Sequence, residues 1–270
     1  MLLNVVKVLP AAPQILARLG RLLLDMNSGL EDITDLLRRD ASLTMRIIRV
    51  ANSSLYNQGA PAGSLVDALA RVGFREVYRL TGFAAVAQLA DQRLPLYGIS
   101  GAQLRENSLL AALMMETLAP IVGIDARLAY TAGLLRSTGK IAMDRMLRDD
   151  AAGTNFSNEN APLAEGEIRL AGMHNCTAAA TIMSEWHFPE DMSSAIRDHY
   201  LLDGPSSPLA VLLNIAAGEA SRAGHPLPGE STYWELTPEK LATAGLDEKR
   251  LRAAAAEACA SFEAVRAVVA

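Results

Sequence analysis

The residues able to do chemistry are few: four histidines, two cysteines and the run GLLRSTGK at positions 133–140. That run has some of the look of a phosphate-cradling GxxxxGK[ST] loop, in which glycines let backbone N–H groups face a phosphate. The spacing does not fit, because five residues separate Gly133 from Gly139, Ile141 stands where the hydroxyl belongs, and no strand precedes the run. Cys176 and Cys259 lie far apart with no CxxC pair, which argues against a disulfide framework or a thiolate zinc site. His174, Asp198 and His199 either hydrogen-bond locally inside a helical core or hold a weakly bound cation. His187 and His225 adjoin turns and show no partner spacing. Arg38, Arg39, Arg46 and Arg49 form either a basic patch or an ordinary solvated helix face.

The elements that must position these residues are helical. Half of the residues are apolar while only 5% are aromatic, and alanine and leucine dominate, which favours helices over sheets. Apolar positions recur at helical spacing over 13–26, 30–40, 41–57, 64–73 and 74–90, with Leu43, Ile47, Val50, Ala51 and Ser54 inward in the third and Arg46 and Arg49 outward. Asp40, Ser64 and Asp125 are placed as N-caps and Gly73 as a stop. Residues 91–100 hold Pro95 and Gly98 and read as a connection. A long apolar helix follows Ser100. The segment Asp125 to Leu147 is apolar on nearly every side and so reads as one central helix, with Gly139 loosening its last turns. A polar loop leads to further helices, Ser207-Pro208 and Thr237-Pro238 mark helix starts, and Leu251, Ala255, Ala258, Phe262, Val265 and Val269 make an apolar seam. That seam needs covering, by the chain's own body or by a second copy.

The stretch from Leu9 to Leu80 resembles the N-terminal half of an HDOD domain. It keeps Leu9-Pro10, Pro13, Asp40, Leu43, Ala51-Asn52-Ser53, Tyr56, Ser64-Leu65, Ala68 and Gly73, and departs at Ala12 and Ala41. Further on, GLLRSTGK resembles the GLLHDIGK signature of the HD superfamily of metal-dependent phosphohydrolases, whose adjacent His and Asp bind a metal. Here that dyad is Arg136-Ser137. Arginine has no lone pair to offer a cation. Asn107 replaces another histidine of the superfamily pattern, Ala217-Gly218 stands where metal-binding relatives carry an aspartate, and His174, Trp186, Pro189, Ile196 and His199 are kept.

The resemblance implies an all-α protein with the two-lobed helical HDOD fold and C-terminal helices. The expected divisions are 1–92 for the N-terminal helical lobe, 93–225 for an HD-like lobe lacking the dyad, and 226–270 for a helical extension. The implied role is a non-catalytic bacterial signal-transduction module that binds proteins or a ligand. The alternative is a divergent metal-dependent phosphodiesterase or nucleotide-binding HD-type enzyme. Metal-assisted hydrolysis needs at least three protein ligands and an open position, so no metal, no cofactor and no enzymatic activity are expected.

The binding residues expected of the degenerate pocket are Asn107, Arg136, Ser137, His174, Asp198 and His199, lining a groove whose far wall is the helix of Asp40 to Tyr56. Arg136 there either offers its fork to a carboxylate or phosphate ligand or pairs internally with Asp198. Partners are expected to be signalling proteins, with a homodimer possible and nucleic acid not expected at a net charge of −5. No apolar run is long enough for a membrane span and the N-terminus does not read as a signal peptide, so a cytoplasmic location is expected.

Overall fold

Asp40, Ser64, Ser100, Asp125, Ser207 and Thr237 each stand one residue before a helix. Their side-chain oxygens accept from backbone N–H groups that the first turn leaves free, those of Leu43, Asp67, Gln103, Leu128, Ala210 and Lys240. The computed structural model describes residues 2–9, 12–23, 25, 27–53, 56, 59–90, 92–148, 155–156, 162–200 and 207–269. Pro10, Ser54 and most of the polar loop after Leu147 lie outside the described residues. Among those described there is no sheet, only an isolated bridge between Leu94 and Ile99, and the protein is all-α.

The chain divides into two compact units. One comprises residues 10–88 with 263–270, and contains α2 (Ala12–Leu22), α3 (Leu30–Arg38), α4 (Ala41–Ala51), α5 (Leu65–Val72) and most of α6 (Phe74–Leu89). Here α4 buries Leu43, Ile47, Val50 and Ala51 against α3 and α5. The residues of the HDOD-like motif serve this packing. Asn52 clasps the backbone of Ala62 from both sides, at 2.7 and 3.0 Å. Arg71 adds bonds to the carbonyls of Ala51 and Ala60.

The other unit comprises residues 1–9 and 89–262. It holds α1 (Leu2–Val8), α7 (Gly101–Leu118), α8 (Ala126–Leu135), α9 (Thr138–Leu147), α10 (Leu163–Ala171), α11 (Asn175–Glu185), α12 (Glu190–Asp198), α13 (Pro208–Arg222), α14 (Pro238–Thr243) and the first two thirds of α15 (Glu248–Val269). Helix α1 packs on α9 and α11, so the first nine residues belong with this unit rather than with the N-terminal helical lobe in which they were expected. In α15, Leu251, Ala254, Ala258 and Phe262 are buried within the chain itself.

The apolar segment at the centre is not one helix. It breaks at Ser137 (φ −97°, ψ 8°) into α8 and α9, because each half is held by a different neighbour. Gly133 lies against α7, where an added Cβ would fall 2.7 Å from the carbonyl oxygen of Ala111. Gly139 lies against α11, where a Cβ would fall 1.8 Å from the carbonyl oxygen of Asn175. Gly139 therefore permits a close helix crossing instead of loosening a turn.

Candidate functional site

The break between α8 and α9 turns Arg136, the last-turn cap of α8, into the interior, where it is 1% exposed. A guanidinium there requires a carboxylate. It finds Glu230, in the turn that opens the short 3₁₀ segment Ser231–Tyr233. Arg136 Nη2 and Nη1 lie 3.0 and 3.2 Å from the two oxygens of Glu230, a fork-on-fork pairing. Lys140, wholly buried in the first turn of α9, places its Nζ 3.1 Å from Glu230 Oε1. Tyr200 donates its hydroxyl to the same oxygen at 2.6 Å and accepts from Lys140 at 2.9 Å. Arg136 Nη2 also donates to Asn107 Oδ1 at 2.6 Å, and Asn107 in turn donates to the carbonyl of His225. Trp234 closes one side, its ring centroid 5.5 Å from the guanidinium carbon.

A second carboxylate stands behind Lys140. Tyr97, whose ring lies 5.1 Å from the ammonium, donates at 2.7 Å to Glu167, and Glu167 accepts from the backbone and side chain of Asn175. Two buried cations and two buried carboxylates thus share one interior region, their formal charges cancelling.

Burial alone would raise the pKa of Glu230, but Arg136 and Lys140 outweigh it and hold its carboxyl at about 2. Burial likewise opposes the charge on Arg136 and the field of Glu230 overcomes it, so the guanidinium stays protonated. His199 has no such compensation: burial and the neighbouring Arg136 depress it to about 3, leaving a neutral ring. Its Nδ1 faces the carbonyl of Ile196 at 2.7 Å. A carbonyl only accepts, so Nδ1 carries the hydrogen and Nε2 a lone pair with no partner among the described residues. Burial also pushes the Tyr200 phenol and the Cys176 thiol well up, so both remain protonated.

Of the six residues expected to line the pocket, Asn107, Arg136 and His199 come together, and Ser137 is buried beside them with its hydroxyl unpartnered among the described residues. They do not line an open groove, because all four are interior. His174 is the N-cap residue of α11, partly buried, with Nε2 3.5 Å from Thr177. Asp198 faces solvent and pairs with Arg197 at 2.8 Å, so the internal partner of Arg136 is Glu230 and not Asp198. Glu230, Lys140, Tyr200 and Trp234 were not anticipated. Lys140 is the last residue of the GLLRSTGK run, Glu230 answers the demand that a buried arginine be neutralised, and Tyr200 and Trp234 carry no sequence signal.

The donor set does not suit a metal ion. A cation here would meet Arg136 and Lys140, and the carboxylate nearest to both already accepts from Arg136 twice and from Tyr200 and is ion-paired to Lys140. Among the described residues no group of three or more His, Cys, Asp or Glu side chains is placed to hold a metal.

The HDOD domain model matches residues 9–202. The chain belongs to the HDOD domain family. Its fold is shared with an HDOD domain protein of unknown function from Geobacter sulfurreducens, 22% identical over 97% of this chain and 92% of that one, TM-score 0.68. A protein from Marinobacter aquaeolei VT8, named as a candidate signal transduction protein, is 22% identical over 96% of this chain and 58% of its own, TM-score 0.68. A third, from Shewanella amazonensis SB2B and named as a candidate phosphohydrolase, is 23% identical over 96% and 93%, TM-score 0.63. No curated protein matches the chain. Among the described residues no helix is long and apolar enough to cross a membrane.

Proposed function

We propose that this chain is a non-catalytic regulatory module that acts by binding a partner protein. The observation that carries the reading is the Arg136–Glu230–Lys140 cluster. The position that corresponds to the HD dyad is occupied by a guanidinium whose terminal nitrogens are engaged by Glu230 and Asn107. Substrate hydrolysis would need an exposed nucleophile or activated water, and this interior offers a neutral histidine, a protonated thiol and a phenol locked to Glu230. With no reaction centre at this position, the chain's output falls to surface contacts.

The test is a phosphodiesterase assay on bis(p-nitrophenyl) phosphate with manganese, magnesium or zinc added, run beside metal analysis of the purified chain. The expected result is turnover no faster than the metal blank and substoichiometric metal. Metal-dependent turnover that a chelator abolishes and metal restores would overturn the proposal in favour of a divergent hydrolase.

A further inference from the structure

Helix α4 shows solvent a single face, Ser42, Met45, Arg46 and Arg49, while its opposite face is buried. Between this face and Leu80 and Phe83 of α6 lies a cavity of about 280 Å³, with Val50 also in its lining. Two independent features single it out. Met45, 62% exposed, is the most exposed large apolar side chain among the described residues. Arg46 and Arg49, three positions apart on that exposed face, have no carboxylate partner among the described residues. Helix α4 contains no acidic residue at all. One exposed thioether is ordinary by itself; next to two guanidinium groups without carboxylate partners and an apolar cavity, it makes a surface complementary to an apolar side chain flanked by acids.

We propose that the groove between α4 and α6 docks an acidic amphipathic helix of a partner protein. One apolar side chain of that helix enters the cavity against Met45, Leu80 and Phe83. Carboxylates on either side of it pair with Arg46 and Arg49, which stand one helical turn apart and so match the i, i+3 and i, i+4 spacing of acids on a helix face. The cavity has room for one anchor, since a cavity of about 150 Å³ accepts a benzene ring, and it lies below the usual range of small-molecule pockets. The flexible Met45 can reshape around the anchor. A nucleic acid is disfavoured, because two arginines on a chain of net charge −5 do not form the basic track that a phosphate backbone follows. This inference is independent of the fate of the Arg136 region, so a positive hydrolase assay would leave it standing.

The experiment uses the full chain and a fluorescein-labelled, helix-stapled peptide bearing one leucine with glutamates three and four positions to either side. Fluorescence anisotropy should show binding that weakens as salt is raised. Arg46→Glu with Arg49→Glu should lower affinity at least about tenfold, and a peptide with lysines in place of its glutamates should restore it. Met45→Ala should weaken binding several-fold with an unchanged salt dependence. These positions are exposed, so thermal transitions should not move; should the double reversal fail to fold, Arg46→Gln with Arg49→Gln replaces it. No binding by the parent chain at the highest soluble peptide concentration would overturn the proposal, as would equal binding of a scrambled peptide or insensitivity to the arginine variants. Stronger binding of a DNA duplex or of anionic phosphatidylglycerol vesicles, lost in the same variants, would overturn it in favour of that ligand.

Discussion

Replacing Glu230 with glutamine removes one charge and almost no volume, and so isolates what the carboxylate does for the larger unit. At roughly 4 Å between charge centres and an effective dielectric near 20, each of the two cations beside it contributes about 4 kcal/mol of attraction. Desolvation takes back part of that gain, and breaking a buried pair by removing one member costs about 3–5 kcal/mol, because the surviving charges stay buried without compensation. Here two cations survive, Arg136 and Lys140, both almost wholly excluded from water. The expected fall in melting temperature for a unit of this size is roughly 6–20 °C. Tryptophan fluorescence reads it selectively, since the chain's two tryptophans, Trp186 and Trp234, both lie in the unit of residues 1–9 and 89–262. The double variant Arg136→Met, Glu230→Leu, which removes the forked pair as a unit and leaves Lys140 to balance Glu167 in formal charge, should recover most of the loss. A Glu230→Gln protein melting within about 2 °C of the parent would refute the assignment of the cluster as the neutralised core of the pocket.

Acid should weaken the same unit in two stages. His199 is depressed from 6.5 to about 3, so below pH 6.5 the unfolded chain takes up a proton that the folded one refuses, costing about 2–3 kcal/mol by pH 4.5. Glu230, with a folded pKa of about 2 against 4.5 when free, adds its own loss as pH drops below 4.5. Urea titrations across pH should show both stages, and His199→Gln should flatten the first; a parent curve flat from pH 6.5 to 4.5 would contradict the buried neutral ring. Gly139→Ala should cost at least about 3 kcal/mol, since its Cβ would strike backbone atoms of α11 that cannot yield, whereas Gly172→Ala, strained only by its positive φ, should cost about 1 kcal/mol. Chemical denaturation that ranks the two equally would count against the close α9–α11 crossing. Arg136→His with Ser137→Asp should bind no stoichiometric metal by elemental analysis, because Lys140 stays beside Glu230 and Asn107 and Ala217 stay in place of ligands; stoichiometric manganese would show that the dyad alone was missing.

What could be read from the sequence and what could not divide along a physical line. Helix starts at Asp40, Ser64 and Asp125 were legible because a cap is a bond to a backbone group two or three positions away. The loss of the dyad was legible because it is a change of residue type in a local motif. The break at Ser137 was not, since both halves of the segment are apolar and only the neighbours α7 and α11, unrelated in sequence distance, pull them apart. Glu230 was least legible of all: it lies 94 positions from Arg136, in a proline-glycine turn with no periodic pattern, one acid among thirty. Asp198 was the nearer candidate on grounds of motif, yet Arg197, next to it in sequence, holds it at the surface. The rule that would have found the answer is charge balance. A fixed guanidinium in place of a metal site brings into the interior the positive charge that an ion would have brought, and folding demands an equal negative charge from somewhere in the chain. When the local motif has lost its own acid, as it has at Ser137, that acid must come from a distant segment, and the segment that supplies it becomes the wall of the pocket. Trp234, four residues after Glu230 and stacked over Arg136, is where that consequence is visible.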